Sequence, residues 1–232
     1  MLTARRSADR GYTKLDWLDS RHTFSFGDYI DPHHRGFRSL RVINEDFVAP
    51  GQGFATHPHR DMEILSYVVS GSMAHRDSMG NGSVIVPGEL QRMSAGSGVT
   101  HSEFNPSTTE PLHLLQIWIF PEKRGIEPKY EQKAFDLDAR RGELILVASH
   151  DGRDGSLTIH QDAAIRAGRL ATKARVRHEL GAGRHAWLQV VRGRIAIGTE
   201  TLEAGDGVAI SDEPSIELAA ESDAEVLVFE LA

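Results

Sequence analysis

Apolar residues in this sequence come in short runs, each cut off by glycine or proline before it is long enough to build a helix. The 232 residues include 22 Gly and 9 Pro, a density of turn formers that suits many short strands in a sandwich or barrel. Segments 40–43, 62–69, 83–86, 112–120, 144–147, 187–191, 194–197 and 225–230 read as strands. The Asn81-Gly82 pair within Met79-Gly80-Asn81-Gly82 marks a tight hairpin. The most apolar stretch, 112–120, is interrupted by His113 and Gln116 and falls far short of the ~20 residues that span a bilayer. The opening MLTARRSADRGYTK lacks the apolar core of a signal peptide. The expected product is an all-β, cytoplasmic protein with no membrane segment.

The length leaves room for one large domain or two of about 100 residues. The polar stretch 121–142 reads as a bridge, and the halves on either side of it resemble each other. YVVSGSMAH around Gly71 and LQVVRGRIAIG around Gly193 share a strand, a glycine turn and a second strand. VPGEL around Gly88 and LEAGDGVAI around Gly205 share a glycine turn that feeds another strand. Two matches in the same order point to duplication of one all-β unit, and predict domains 1–135 and 136–232.

Charge and cysteine usage narrow the chemistry. A formal net charge of -7 argues against direct nucleic-acid binding, because phosphates call for a basic surface. With no Cys, there are no disulfides and no thiolate metal sites, so a bound metal must use nitrogen and oxygen donors. Two short patterns offer them: His57-Pro58-His59 and His101-Ser102-Glu103. Residues i and i+2 of a strand share a face, so each pattern aims two ligand-type side chains at one point. On neighbouring strands, four would converge. Pro58 cannot donate to a strand ladder, which predicts a sheet edge or a bulge there. His22, His33, His34, His150, His160, His178 and His185 lack this spacing and read as ordinary polar residues. His75 and His113 read as supports of the site or as hydrogen-bonded core residues. On ligand type alone, iron, copper, nickel, cobalt and zinc all stay open.

The residues around these patterns carry a resemblance. Gly51-x5-His57-x-His59-x3-Glu63, with Gly71 after the next strand, resembles the first cupin motif, and Gly98-x2-His101-x3-Asn105 resembles the second. A longer likeness runs through HTFSFGDYIDP (22–32), LRVINED (40–46), THPHRDMEILSYVVSG (56–71), HRDSMGN (75–81), QRMSAGSGVTHSEFNPS (91–107) and DGSLTIHQDA (154–163). Over essentially the whole chain these segments resemble the pirin family of two-cupin proteins. The resemblance implies two tandem cupin barrels (double-stranded β-helices of the jelly-roll type), with a metal in the first and none in the second. It also implies the ligand set. Most cupins use the glutamate of the first motif, here Glu63. Pirins use the one two residues past the second-motif histidine, so His57, His59, His101 and Glu103 hold the metal and Glu63 has a supporting role. Gly96 stands where cupins usually have proline, but GSG (96–98) is itself pirin-like. Aligning Gly193 with Gly71 sets Glu179, Gly181 and His185 opposite His57, His59 and Glu63, so no second ligand set emerges.

Four protein ligands on an octahedral metal leave two positions for water, a chelating substrate or dioxygen, unlike a closed structural site. The resemblance implies one divalent transition metal per chain, Fe(II) foremost, with Ni, Cu, Mn, Co or Zn as alternatives. It implies quercetin 2,3-dioxygenase activity on a flavonol and O2. The flavonol 3-hydroxyl is then expected to lose its proton on binding the metal, either to Glu103, released from the metal, or to a bound hydroxide. A second reading, drawn from other pirins, is a metal-dependent regulatory module that acts through a protein partner without turnover. A third is a metal-free sugar-binding or isomerase cupin. The chain is expected to be a monomer, because two fused barrels can pair with each other.

Overall fold

In a computed structural model, which describes all residues Met1–Ala232, the only helical elements are two 3-10 turns, Ser7–Asp9 and Arg153–Gly155. No helix is long and apolar enough to cross a membrane. Up to residue 135 the strands are β1 (Leu2–Arg5), β2 (Gly11–Lys14), β3 (Leu18–His22), β4 (Leu40–Val48), β5 (Gly53–His59), β6 (Glu63–Ser70), β7 (Met73–Asp77), β8 (Gly82–Ile85), β9 (Glu89–Ser94), β10 (Val99–Phe104), β11 (Leu112–Ile119) and β12 (Lys129–Ala134). Then come β13 (Ile145–Ser149), β14 (Leu157–Thr158), β15 (Ala163–Leu170), β16 (Arg175–Glu179), β17 (His185–Arg192), β18 (Arg194–Ile197), β19 (Glu200–Glu203), β20 (Gly207–Ile210), β21 (Ser215–Ala220) and β22 (Ala224–Leu231).

The chain divides into two compact units, Gly11–Phe135 with Ile159–Gln161, and Met1–Arg10 with Asp136–Thr158 and Asp162–Ala232. Each is a two-sheet cupin barrel. In the first, sheets run β12-β9-β6-β11-β4-β3-β2 and β5-β10-β7-β8; in the second, β1-β20-β17-β22-β15-β13-β14 and β16-β21-β18-β19. The orders correspond strand for strand from β9 and β20 to β3 and β13, so the duplication read in the glycine turns is a duplication of topology. The grouping differs from a single cut after residue 135 for a plain reason. β1 pairs along β20, from Leu2 opposite Ile210 to Arg5 opposite Gly207, and so fills the place that β12 fills beside β9. β12 itself lies within the stretch read as a bridge. Its residues are all half-buried or exposed, so no apolar stripe announces it.

The turns obey local chemistry. Between β7 and β8 the Asp77 carboxylate accepts the N–H groups of Met79 (2.9 Å) and Asn81 (3.0 Å), and Gly80 takes the positive φ of 91°. Gly82 is already in β8. The reversal is therefore an Asp-capped loop rather than a two-residue Asn-Gly turn. Gly71 and Gly193, the matched glycines of the two halves, both sit at φ 77°. A Cβ at Gly71 would meet the Pro111 carbonyl oxygen at 2.6 Å, and one at Gly193 the Asp223 carbonyl oxygen at 2.0 Å. Gly193→Ala is expected to destabilise the protein by roughly 2 kcal/mol or more, adding a backbone clash to a disfavoured φ. Gly142→Ala, at φ 89° but in open space, should cost only about 1 kcal/mol. Urea denaturation midpoints measure both, and equal losses would show that the clash is not what demands glycine.

Candidate metal centre

β5 is the outermost strand of its sheet and pairs with β10, with Pro58 opposite Thr100 and His57 opposite His101. An edge tolerates a residue that cannot donate, as expected for Pro58. A register shift between His101 and Glu103 sets Glu103 opposite Phe54. The imidazoles converge: ring centroids are 4.8 Å apart for His57 and His59, 4.5 Å for His57 and His101, and 4.8 Å for His59 and His101. The Nε2 atoms of His57 and His101 are 3.0 Å apart. Two groups of ligand atoms, each within 4.8 Å of one another, share His101: His57, His59, His101, and His75, His101, Glu103.

Protonation follows from the neighbours. His57 Nδ1 lies 2.7 Å from the Ala55 carbonyl oxygen, which can only accept, so Nδ1 carries a proton and Nε2 is the nitrogen left to face the cluster. Burial, reinforced by the adjacent imidazoles, pushes His59 down to about 4 and His101 down to about 3. Both are neutral at pH 7, the state a metal ligand requires. Glu103 is buried; its oxygens accept from Ser66 Oγ (3.1 Å) and Gln116 Nε2 (2.8 Å). Neutral imidazoles converging beside a buried carboxylate without a cationic partner are a donor set that a divalent transition metal fits.

The groups that hold Glu103 belong to a polar row. His22, Asn44, Gln116, Ser66 and Gln91 lie in register across β3, β4, β11, β6 and β9. All five are buried. His22 Nδ1 bonds Asn44 (2.9 Å), and the Gln91 amide reaches His75 Nδ1 (3.4 Å). His75 Nε2 faces Asp77 at 3.3 Å. Both His75 nitrogens are thus engaged, which suits a supporting role. His22 lines the same cavity as the cluster, which its spacing gave no reason to expect. Ser66 and Gln116 escaped sequence reasoning too, although Gln116 showed as a polar break in an apolar strand. That is the signal of a buried group with a partner to serve.

Glu63 is elsewhere. It is fully buried, accepts from Ser94 Oγ (2.9 Å) and sits 3.4 Å from His160 Nδ1, outside both ligand groups. His113 pairs with Glu45 (2.9 Å) and stacks on Phe47 (4.1 Å). In the second barrel His178 stands opposite Ile216 on β21. The strand correspondence puts His178, Leu180, Ile216 and Leu218 at the places of His57, His59, His101 and Glu103. This is one residue off the alignment through Gly193, because residues 60–62 separate His59 from Glu63 while 181–184 separate Leu180 from His185. Leu180, Ile216 and Leu218 belong to the apolar core and offer no donor atom.

A cavity of about 220 Å³ opens onto His57, His59 and Glu103, with Leu18, Phe26, Phe54 and Trp118 among its walls. Trp118 meets the His59 ring edge-on at 5.0 Å and Phe26 at 5.4 Å. Fold and site define a bicupin with a nitrogen- and oxygen-donor centre in its first barrel.

The pirin family pattern matches residues 4–119, and one described as the quercetinase C-terminal cupin domain matches 146–231. A quercetin 2,3-dioxygenase of Escherichia coli (strain K12) is 51% identical over 231 residues, covering 100% of this chain and 99% of that protein. The crystal structure of YhhW from Escherichia coli has a TM-score of 0.96 at 50% identity, covering 100% of this chain and 98% of that one. Bacterial pirin YhhW in complex with nickel(II) gives 0.95 at 49% identity, covering 100% and 99%. This chain belongs to the pirin family.

Gln116→Leu removes the donor to one oxygen of Glu103. It is expected to weaken metal binding roughly ten- to hundredfold, read by titrating the metal-free protein with nickel(II) or iron(II). Unchanged affinity would mean that the polar row does not orient Glu103.

Proposed function

We propose that this chain is a metal-dependent dioxygenase that opens the heterocyclic ring of flavonols such as quercetin with O2. The observation that carries the reading is a cluster of neutral imidazoles and a buried carboxylate at a cavity with aromatic walls. Full-length likeness to a protein named quercetin 2,3-dioxygenase supports the reaction class. His57, His59, His101 and Glu103 would hold one divalent transition metal. Iron(II) is favoured for oxygen chemistry on such a set, and nickel, copper, manganese, cobalt and zinc accept the same donors. When bound, the metal supplies Lewis acidity and access to oxygen chemistry.

The chain's own residues do the rest. Glu103 would take the proton of the flavonol 3-hydroxyl, its two oxygens oriented by Ser66 and Gln116. Phe26, Phe54 and Trp118 offer flat apolar surface to the fused rings and keep bulk water away. A chain without Cys needs no oxidising compartment, and the proposal is of a cytoplasmic enzyme working as a monomer.

Metal-loaded protein incubated with quercetin should bleach the flavonol absorbance under air and not under nitrogen. His101→Ala should lose both the metal, by elemental analysis, and at least about 99% of the turnover. Bleaching that is absent, or that proceeds equally without oxygen, removes the dioxygenase reading.

A further inference from the structure

The cavity has a polar wall that the chemistry above does not use. β3 and β4 place Ser20 opposite Asp46 and His22 opposite Asn44, and all four side chains line the cavity. Asp46 is only 3% exposed. Its Oδ1 accepts from Ser20 Oγ; its Oδ2 accepts nothing from the protein, and no cation pairs with it. Ser20 Oγ lies 3.5 Å from His22 Nδ1, which is 2.9 Å from Asn44 Oδ1. That amide oxygen only accepts, so Nδ1 carries the proton and Nε2 accepts from Thr13 Oγ1 at 2.9 Å. Thr13, His22 and Ser20 thus form a continuous polar backing behind Asp46.

The fold does not call for a carboxylate there. The same row continues through Leu114 and Val68, both buried and apolar. The strand correspondence puts Gly168 at the matching place of the second barrel. A buried carboxylate with one oxygen unserved is costly unless something from the cavity donates to it. Burial, and then the charges of Glu103 and Glu45, push its carboxyl up to about 7 against the lowering effect of the Ser20 hydrogen bond.

We propose that Asp46 anchors a second hydroxyl of the aromatic substrate, and so selects polyhydroxylated flavonols over those that carry the 3-hydroxyl alone. The inference rests on the flavonol reading of the site. It makes Asp46 a specificity residue, with Ser20 fixing the carboxylate and the aromatic walls holding the ring plane.

Binding is measured without oxygen at about pH 8.5, above the value of the Asp46 carboxyl so that it is ionised, on the metal-loaded protein with quercetin and with 3-hydroxyflavone as probes. The wild-type protein should prefer quercetin by about 10- to 100-fold, the size of a hydrogen bond to a charged group. Asp46→Leu, with metal content checked, should bind the two within about threefold, since the hydrogen bond is gone. Asp46→Asn, which keeps the volume and guards against a failure to fold, should lower the preference at least about fivefold by exchanging a charged acceptor for a neutral one. A preference that survives both substitutions, or is absent from the wild type, overturns the role of Asp46 while leaving the flavonol reading in place. A wild-type protein that binds neither probe overturns that reading and this assignment together.

Discussion

The register of β5 on β10 is the constraint from which the site follows. With His57 opposite His101, the i, i+2 rule turns His59 and Glu103 to the same side as their partners, and the cluster forms without strain in either strand. A slip of β5 by one residue would turn His57 and His59 away and bring Pro58 inward, while β10, held by β7 on its other side, kept His101 and Glu103 in place. The edge position makes the register affordable for Pro58, and the irregularity lies in β5, where three residue steps from Phe54 to His57 face two from Glu103 to His101. β10 keeps an unbroken register with β7, so Glu103 stays on the His101 face, where Ser66 and Gln116 reach it. Bulges next to a site are a recurring device of sheets.

The opposite sheet answers with the polar row. Each hydrogen bond in it contributes only about 1 kcal/mol net, but leaving a buried donor or acceptor unpaired costs about 1–3 kcal/mol. The row is therefore worth more as orientation than as stability. It fixes Glu103 through Ser66 and Gln116, fixes His75 through Gln91, and leaves apolar clusters to hold the barrel on either side, one around Val68 and Leu114, the other around Ile64 and Met93.

Much of this was legible in the sequence, for identifiable reasons. Strands with an apolar stripe, such as β6, β11, β17 and β22, announce themselves by pattern, and their observed bounds lie within a residue or two of the reading. Polar edge strands do not: β12 hid inside an apparent bridge, and β1 is recruited by β20 from the far end of the chain. The paired histidines could be read from spacing. Strand spacing offered Glu103, the general cupin motif offered Glu63, and the pirin likeness chose between them. Glu63 is committed to Ser94 and His160 instead. The matched positions of the second barrel were misread by one residue, because a loop one residue longer is invisible when glycines are aligned.

The second barrel supplies the control that a single barrel could not. Where the first has Gln116, Ser66 and Gln91, the strand correspondence puts Val228, Leu188 and Val208, each with no exposed surface. Leu180, Ile216 and Leu218 stand in for His59, His101 and Glu103. Three of the four ligand places and four of the five places in the row have become apolar, with Leu146 at the place of His22; only His178 and the half-buried Arg166, at the places of His57 and Asn44, stay polar. A row demanded by the cupin barrel itself would recur in both copies. Its presence only beneath the histidine cluster means that these polar residues belong to the site, and that the barrel folds equally well with valine and leucine in their stead.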